Sequence, residues 1–176
     1  MCGIVGIYLK SKKFEKSLGG MLSKMLVSME SRGPDSAGFA IYNSDKNKIY
    51  KYSVCLNEMS FEKFKKEIKK RVKFTNIEKN SDHVILKSTE KPNKILPILE
   101  DILTIALVGY GKSIEIFKQV GKPSNVVKKF NLDNFSGTHA IGHTRMATES
   151  AITTNGSHPY STGEDECLVH NGSLSN

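Results

Sequence analysis

The chain has 176 residues, 38% of them hydrophobic and 25% charged, and a net charge of +8. That length holds one domain with a sizeable core; no apolar run approaches the ~20 residues of a membrane span, and the N-terminus shows no secretory signal. The positive charge is nearly all lysine, scattered from Lys10 to Lys129 without an aromatic stacking platform, which argues against nucleic-acid binding and leaves Arg32, Arg71 and Arg145 as the only arginines to explain.

The first nine residues, Met1 to Leu9, place a cysteine directly before an apolar run that reads as a buried strand. Leu18, Met21, Leu22, Met25, Leu26 and Met29 then recur at helical spacing, which predicts an amphipathic helix over about 14–30. Gly19-Gly20 weaken its start but allow another element to approach closely. Ser31-Arg32-Gly33-Pro34-Asp35-Ser36 is a turn by composition. Ala37–Tyr42 and Lys48–Leu56 read as two strands of a hairpin joined by a polar loop.

Residues 57–135 have a different, lysine-rich character and read as an insertion or subdomain of unassigned role. Ser60 is placed to cap a helix whose apolar stripe is Phe61, Phe64, Ile68 and Val72. A short strand is expected at His83–Lys87 and a helix at Ile95–Leu103. Two strands joined at Gly111 and a short helix at Pro123–Phe130 follow. From Thr138 to Thr148 a strand-like run carries Arg145. A polar loop with Asn155-Gly156 and His158-Pro159 leads to Cys167-Leu168-Val169-His170-Asn171-Gly172.

Cys2, Cys55 and Cys167 are an odd set without C-x-x-C spacing, which points to a reducing, cytoplasmic setting rather than a disulfide framework. The five histidines lack metal-ligand spacing, and no glycine-rich loop precedes a helix to cradle phosphate, so neither a metal nor a cofactor is expected. If Met1 is removed, Cys2 carries a thiol and an α-amine whose ordinary pKa lies near ~7.7–8.0, a nucleophile and a base on one residue. The plain alternative is a small apolar cysteine beside an initiator methionine. Asn171-Gly172 offers a side-chain amide and a backbone N–H for an oxyanion, or else is an ordinary turn. Arg145, inside an apolar strand, asks for a carboxylate partner, unless it sits at a strand edge.

The combination is more specific than its parts. Met1-Cys2-Gly3-Ile4-Val5-Gly6, Arg32-Gly33-Pro34-Asp35-Ser36-Ala37-Gly38, Gly142-His143-Thr144-Arg145-Met146-Ala147-Thr148 and His170-Asn171-Gly172, in that order, resemble the class II glutamine amidotransferases. These are N-terminal nucleophile hydrolases that release ammonia from glutamine. The resemblance implies an α+β fold, an αββα sandwich of two antiparallel sheets with outer helices. It implies that Cys2 attacks the glutamine amide and forms a γ-glutamyl thioester, that Asn171 and Gly172 form the oxyanion hole, and that Arg145 and Thr148 bind the substrate. Arg32 and Asp35 would support the nucleophile's end of the site, while His143 and His170 match motif positions without acting as bases.

The first two blocks are most similar to the free-standing amidotransferase subunit of split glutamate synthases and N-methylglutamate synthases, and His158-Pro159 is similar to a segment of glutamate synthases. A separate synthase subunit would then receive the ammonia. Met146 and Glu149 stand where glucosamine-6-phosphate synthase has Trp and His, which lowers a sugar-transferase reading. The amidotransferase domain would comprise residues 1–56 and 136–176. The family continues beyond the Asn-Gly step, with an aspartate for the glutamine α-amino group, so the resemblance implies a fold incomplete at the C-terminus, weak or absent activity of this polypeptide alone, and sheet edges open to association, including a homo-oligomer. Two other readings stand beside it: an N-terminal nucleophile hydrolase that cuts a different amide, and a non-catalytic regulatory module of the same fold.

Overall fold

The computed structural model describes residues 1–43, 48–147 and 151–172. In chain order the elements are β1 (Gly3–Tyr8), α1 (Leu18–Ser28), β2 (Ser36–Tyr42), β3 (Tyr50–Cys55), α2 (Phe61–Arg71), β4 (Asn76–Asn80), β5 (His83–Ser88), α3 (Pro92–Glu100), β6 (Ala106–Gly111), β7 (Ile114–Val120), α4 (Pro123–Phe130), β8 (His139–Arg145), β9 (Tyr160–Gly163) and β10 (Glu166–Leu168). Short 3-10 turns occupy Lys12–Ser17 and Leu132–Asn134.

One antiparallel sheet has the order β1-β8-β2-β7 and a second has β4-β5-β3-β6; β9 and β10 pair as a separate ribbon. Period-2 alternation decides which layer each side chain joins. Phe39 and Ile41 of β2 face Leu18, Leu22 and Leu26 of α1 and Val126, Val127 and Phe130 of α4. Their neighbour Ala40 faces the other way, toward Ile114, Ile116, Cys55 and Val108 between the sheets. Tyr52 and Val54 of β3 pack with Phe64 and Ile68 of α2 and Ile95 and Leu99 of α3. The layers are therefore helices, sheet, sheet, helices, the expected α+β sandwich. Phe39 anchors the first core through rings of Phe117, Phe130 and Phe135 at centroid distances of 5.4, 6.0 and 5.8 Å, geometry that adds about 0.5–1.5 kcal/mol per pair beyond area burial.

Three local expectations change. The 37–56 segment is not a hairpin: both edges of β2 are taken by β7 and β8, and β3 pairs with β5 and β6 in the other sheet. The connection crosses between layers, and its residues 44–47 lie outside the described ones. The strands on either side of Gly111 also part, β6 joining β3 and β7 joining β2. Finally, β1 is an edge strand covered on one face only, so Val5 is buried while Ile4 is 43% exposed.

The lysine-rich stretch 57–135 supplies α2, α3, β4, β5 and β6 to the second sheet's side, and β7 and α4 to the first. Its lysines sit mainly on the outer faces of helices, as in α2, where Phe64 and Ile68 are buried and Lys63, Lys66, Lys69 and Lys70 are exposed or half-buried. Ser60 caps α2 by accepting the Lys63 N–H, and Arg71 pairs with Glu67 one turn earlier.

The predicted helix over 14–30 opens as a 3-10 turn and becomes α-helical at Leu18. Gly19 lies against the backbone carbonyls of Leu132 and Phe135, and a Cβ there would overlap them. Gly20 faces open space, so the close approach is made at one glycine of the pair.

Candidate active site

The first sheet presents two successive rungs toward the second. In β1 against β8, Gly3 lies opposite Thr144 and Ile4 opposite His143; in β2 against β8, Ser36 lies opposite Arg145 and Gly38 opposite His143. Continuing the β1 ladder by one residue sets Cys2 opposite Arg145. Thr144 turns toward α1, its hydroxyl donating to the Met29 carbonyl. By alternation Arg145 and His143 therefore face the inner side. One rung thus carries Cys2, Arg145 and Ser36, and the next carries Ile4, His143, Gly38 and, through β7, Lys118.

Cys2 is half-buried, and its thiol points to the Met146 carbonyl at 3.8 Å. Met1 is exposed and its amine donates to the Met146 sulfur at 2.9 Å. While Met1 is present, the Cys2 nitrogen is an amide and not a base. Arg145 donates from one guanidinium nitrogen to the Ala151 carbonyl. Asp35 clamps the end of β8: its N–H donates to the Arg145 carbonyl, and its carboxylate accepts the Ala147 N–H at 2.8 Å. The turn can press this close because Gly33 lies against the Thr144 carbonyl, where a Cβ would overlap it. Arg32 is exposed on that turn. Thr148 lies outside the described residues.

Asn171 and Gly172 follow β10 in irregular, exposed backbone, with Gly172 at φ 151°. The preceding strand, β10, ends at Leu168. What fixes this segment is the residue before it. His143 Nε2 donates to the His170 carbonyl at 2.9 Å, and the His170 N–H donates to His158 Nδ1 at 3.2 Å. These bonds set the Nε2–H tautomer on both His143 and His158. The two rings stack with centroids 4.2 Å apart. Lys118 does not stand out in the sequence, and His158 does so only through the His158-Pro159 pair, with no role attached to its ring. The available signal was Ile114-x-Ile116-x-Lys118, a lysine at the buried phase of a strand.

Burial pushes the pKa of His158 down to about 4, helped by His143, Lys118 and Arg145 nearby. Burial also lowers His143, His83 and His139, although the His170 carbonyl opposes this at His143 and Asp82 opposes it at His83. Between the ordinary histidine value and the folded one, the unfolded chain binds protons that the folded chain refuses, so stability falls as pH drops through that window. We expect the His158 ring to stay neutral in an NMR titration from about pH 6.5 to near pH 4, with the melting temperature falling over the same range. A His158 that titrates near its ordinary value would contradict the stacked, desolvated geometry.

Pairing of β3 with β5 sets Cys55 opposite His83, and with Asp82 their potential ligand atoms lie within 4.8 Å of one another. Asp82, however, is already bonded to Lys129 at 2.8 Å and to His83 Nδ1 at 2.9 Å, and burial pushes the Cys55 thiol up. The ammonium neutralises the carboxylate a cation would need, although His83 Nε2 stays buried without a hydrogen-bond partner among the described residues.

No protein-family model matches the chain. Over its full length it is 43% identical to the glutamine amidotransferase-like protein GlxB of Rhizobium meliloti (strain 1021), covering 60% of that protein. It is 30% identical, again over its full length, to a putative glutamine amidotransferase of Methanothermobacter thermautotrophicus, covering 62% of it. It is 38% identical over 96 residues, 49% of this chain, to the glutamine–fructose-6-phosphate aminotransferase of Methanococcus maripaludis, covering 16% of that protein. The chain thus spans about three-fifths of the length of the two relatives it matches throughout.

Proposed function

Since the chain belongs to the class II glutamine amidotransferases, we propose that it hydrolyses glutamine to glutamate and ammonia at the Cys2–Arg145 rung. The observation that carries this reading is the register: Gly3 pairs with Thr144, so Cys2 and Arg145, the next residues on each side, come to the same end of the β1–β8 ladder. Removal of Met1 converts the Cys2 nitrogen from amide to amine. The amine takes the thiol proton and the sulfur attacks the side-chain amide carbonyl of glutamine. The resulting oxyanion is met by the Asn171 amide and the Gly172 N–H. The amine returns its proton to the leaving nitrogen; ammonia departs and a γ-glutamyl thioester remains, which water cleaves. Arg145 holds the α-carboxylate as a charge-assisted pair, and Thr148 assists in binding. Arg32 and Asp35 support this end of the site, Asp35 through its bonds to Arg145 and Ala147.

The ammonia passes to a synthase partner of the glutamate-synthase kind. The relatives' names support the amidotransferase step; the partner follows from the resemblance of the first two sequence blocks.

The test is mass spectrometry and ammonia release on the protein purified as its gene encodes it. The expected result is a chain lacking Met1, a covalent adduct on Cys2 from a glutamine-analogue electrophile with a free α-carboxylate, and ammonia from L-glutamine. Retained Met1 with no adduct would overturn the mechanism.

A further inference from the structure

Lys118 is a lysine in an apolar strand with almost no exposure, 5%. Its ammonium donates to the carbonyls of Asn155, Ser157 and Pro159 at 3.2, 2.9 and 3.3 Å and lies over the Tyr160 ring at 4.9 Å. No carboxylate compensates the charge in these contacts; backbone oxygens do. Burial pulls its pKa down to about 8, against a small opposing pull from Cys55. A buried cation held this way gathers one loop into a single conformation.

That loop lies on the inner face of β2. Gly38, the cross-strand partner of both Lys118 and His143, has the His158 carbonyl directly above it, where any Cβ would overlap it. The loop therefore nests on a glycine floor between Lys118 and His143. From it His158 stacks on His143 and accepts the His170 N–H. His143 in turn donates to the His170 carbonyl. A continuous set of contacts runs from Lys118 through residues 155–159 to both backbone groups of His170, the residue preceding Asn171-Gly172.

We propose that Lys118 is a positioning residue, holding the Asn171–Gly172 segment in place through the 155–159 loop. Its catalytic consequence rests on the oxyanion role proposed above for those two residues; its structural consequence does not. Lys118 touches no reacting atom in this account. It removes the freedom of a segment that has little regular structure of its own.

The test uses Lys118→Met, which keeps the length of the side chain and removes its donors, and Lys118→Arg, which keeps donors and charge. Two readouts are taken on the full protein: hydrogen exchange of the His170 amide, and kcat and KM for glutamine. For Lys118→Met we expect exchange at His170 to accelerate at least ~10-fold as the anchor is lost. We expect kcat to fall about 10²-fold, the order set by a displacement near 1 Å at a reacting centre, with KM changed little. Lys118→Arg should recover most of the His170 protection. Should Lys118→Met fail to fold, Gly38→Ala displaces the loop from its floor and should accelerate the same amide. A folded Lys118→Met or Gly38→Ala protein with His170 exchange unchanged overturns the proposal. If the wild-type protein releases no ammonia, the glutaminase reading falls, and the exchange measurement still decides whether Lys118 holds this segment.

Discussion

Replacing Cys2 by alanine is expected to reduce ammonia release from glutamine by at least ~10³-fold, while thermal unfolding shifts by less than about 1 kcal/mol. The asymmetry follows from where the residue sits. Cys2 precedes β1, is half-buried, and among the described residues its sulfur makes one long polar contact, to the Met146 carbonyl. The core of the first sheet begins with Val5 and continues through Phe39, Ile41 and α1, so removing one sulfur leaves no cavity in it. In the proposed chemistry, by contrast, the thioester has no other thiol to form on. Cys55 and Cys167 are the remaining cysteines, and burial pushes both thiols up, away from the reactive thiolate. Intact-mass analysis of the Cys2→Ala protein after treatment with a glutamine-analogue electrophile should show no adduct. An adduct that persists on that variant would move the nucleophile elsewhere and end this account of the site.

Much of this arrangement was legible in the chain because it is written in local pattern. The apolar stripe of α1, the Ser60 cap, the Pro123–Phe130 helix and the strand carrying Arg145 all appear where the periodicity puts them. Pairing was not legible. β2 and β3 look like a hairpin because two strand-like runs flank a polar loop, yet whether adjacent strands pair depends on which edges distant strands occupy, and β7 and β8 fill both edges of β2. β4, Asn76–Asn80, carries almost no apolar signal; it exists because the edge of β5 needs a partner. The same limit applies at the site. Cys2, Arg145, Asn171 and Gly172 were nameable from their motifs. Lys118 was not, and His158 was named only as part of His158-Pro159 without a role, since their meaning lies in a loop folding back over Gly38 from some 120 residues away in sequence, a contact with no local pattern.

Arg145→Ala is expected to raise KM for glutamine by about 30-fold or more with a smaller change in kcat, the signature of lost ground-state binding of a group remote from the reacting amide. Truncating one member of a desolvated, hydrogen-bonded charge pair costs about 2–5 kcal/mol, and Arg145, only half-buried on its strand, belongs at the lower end of that range. The fold should tolerate the change. The backbone of Arg145, not its side chain, accepts the Asp35 N–H, and its ladder to Ser36 is unaffected by truncation. The guanidinium donates to the Ala151 carbonyl in the next loop. A second substrate separates carboxylate recognition from general damage. Glutamine carrying an amidated α-carboxylate should be a poor substrate for the wild-type protein, because it offers the guanidinium no charge. For Arg145→Ala the two substrates should become nearly equivalent, since the discriminating group is gone from the enzyme. Arg145→Lys should fall between, because an ammonium supplies charge without the planar fork that grips both oxygens. If Arg145→Ala left the preference for the free carboxylate intact, the strand arginine would be a structural residue, and the pocket that recognises the amino-acid end of the substrate would have to be sought on another rung.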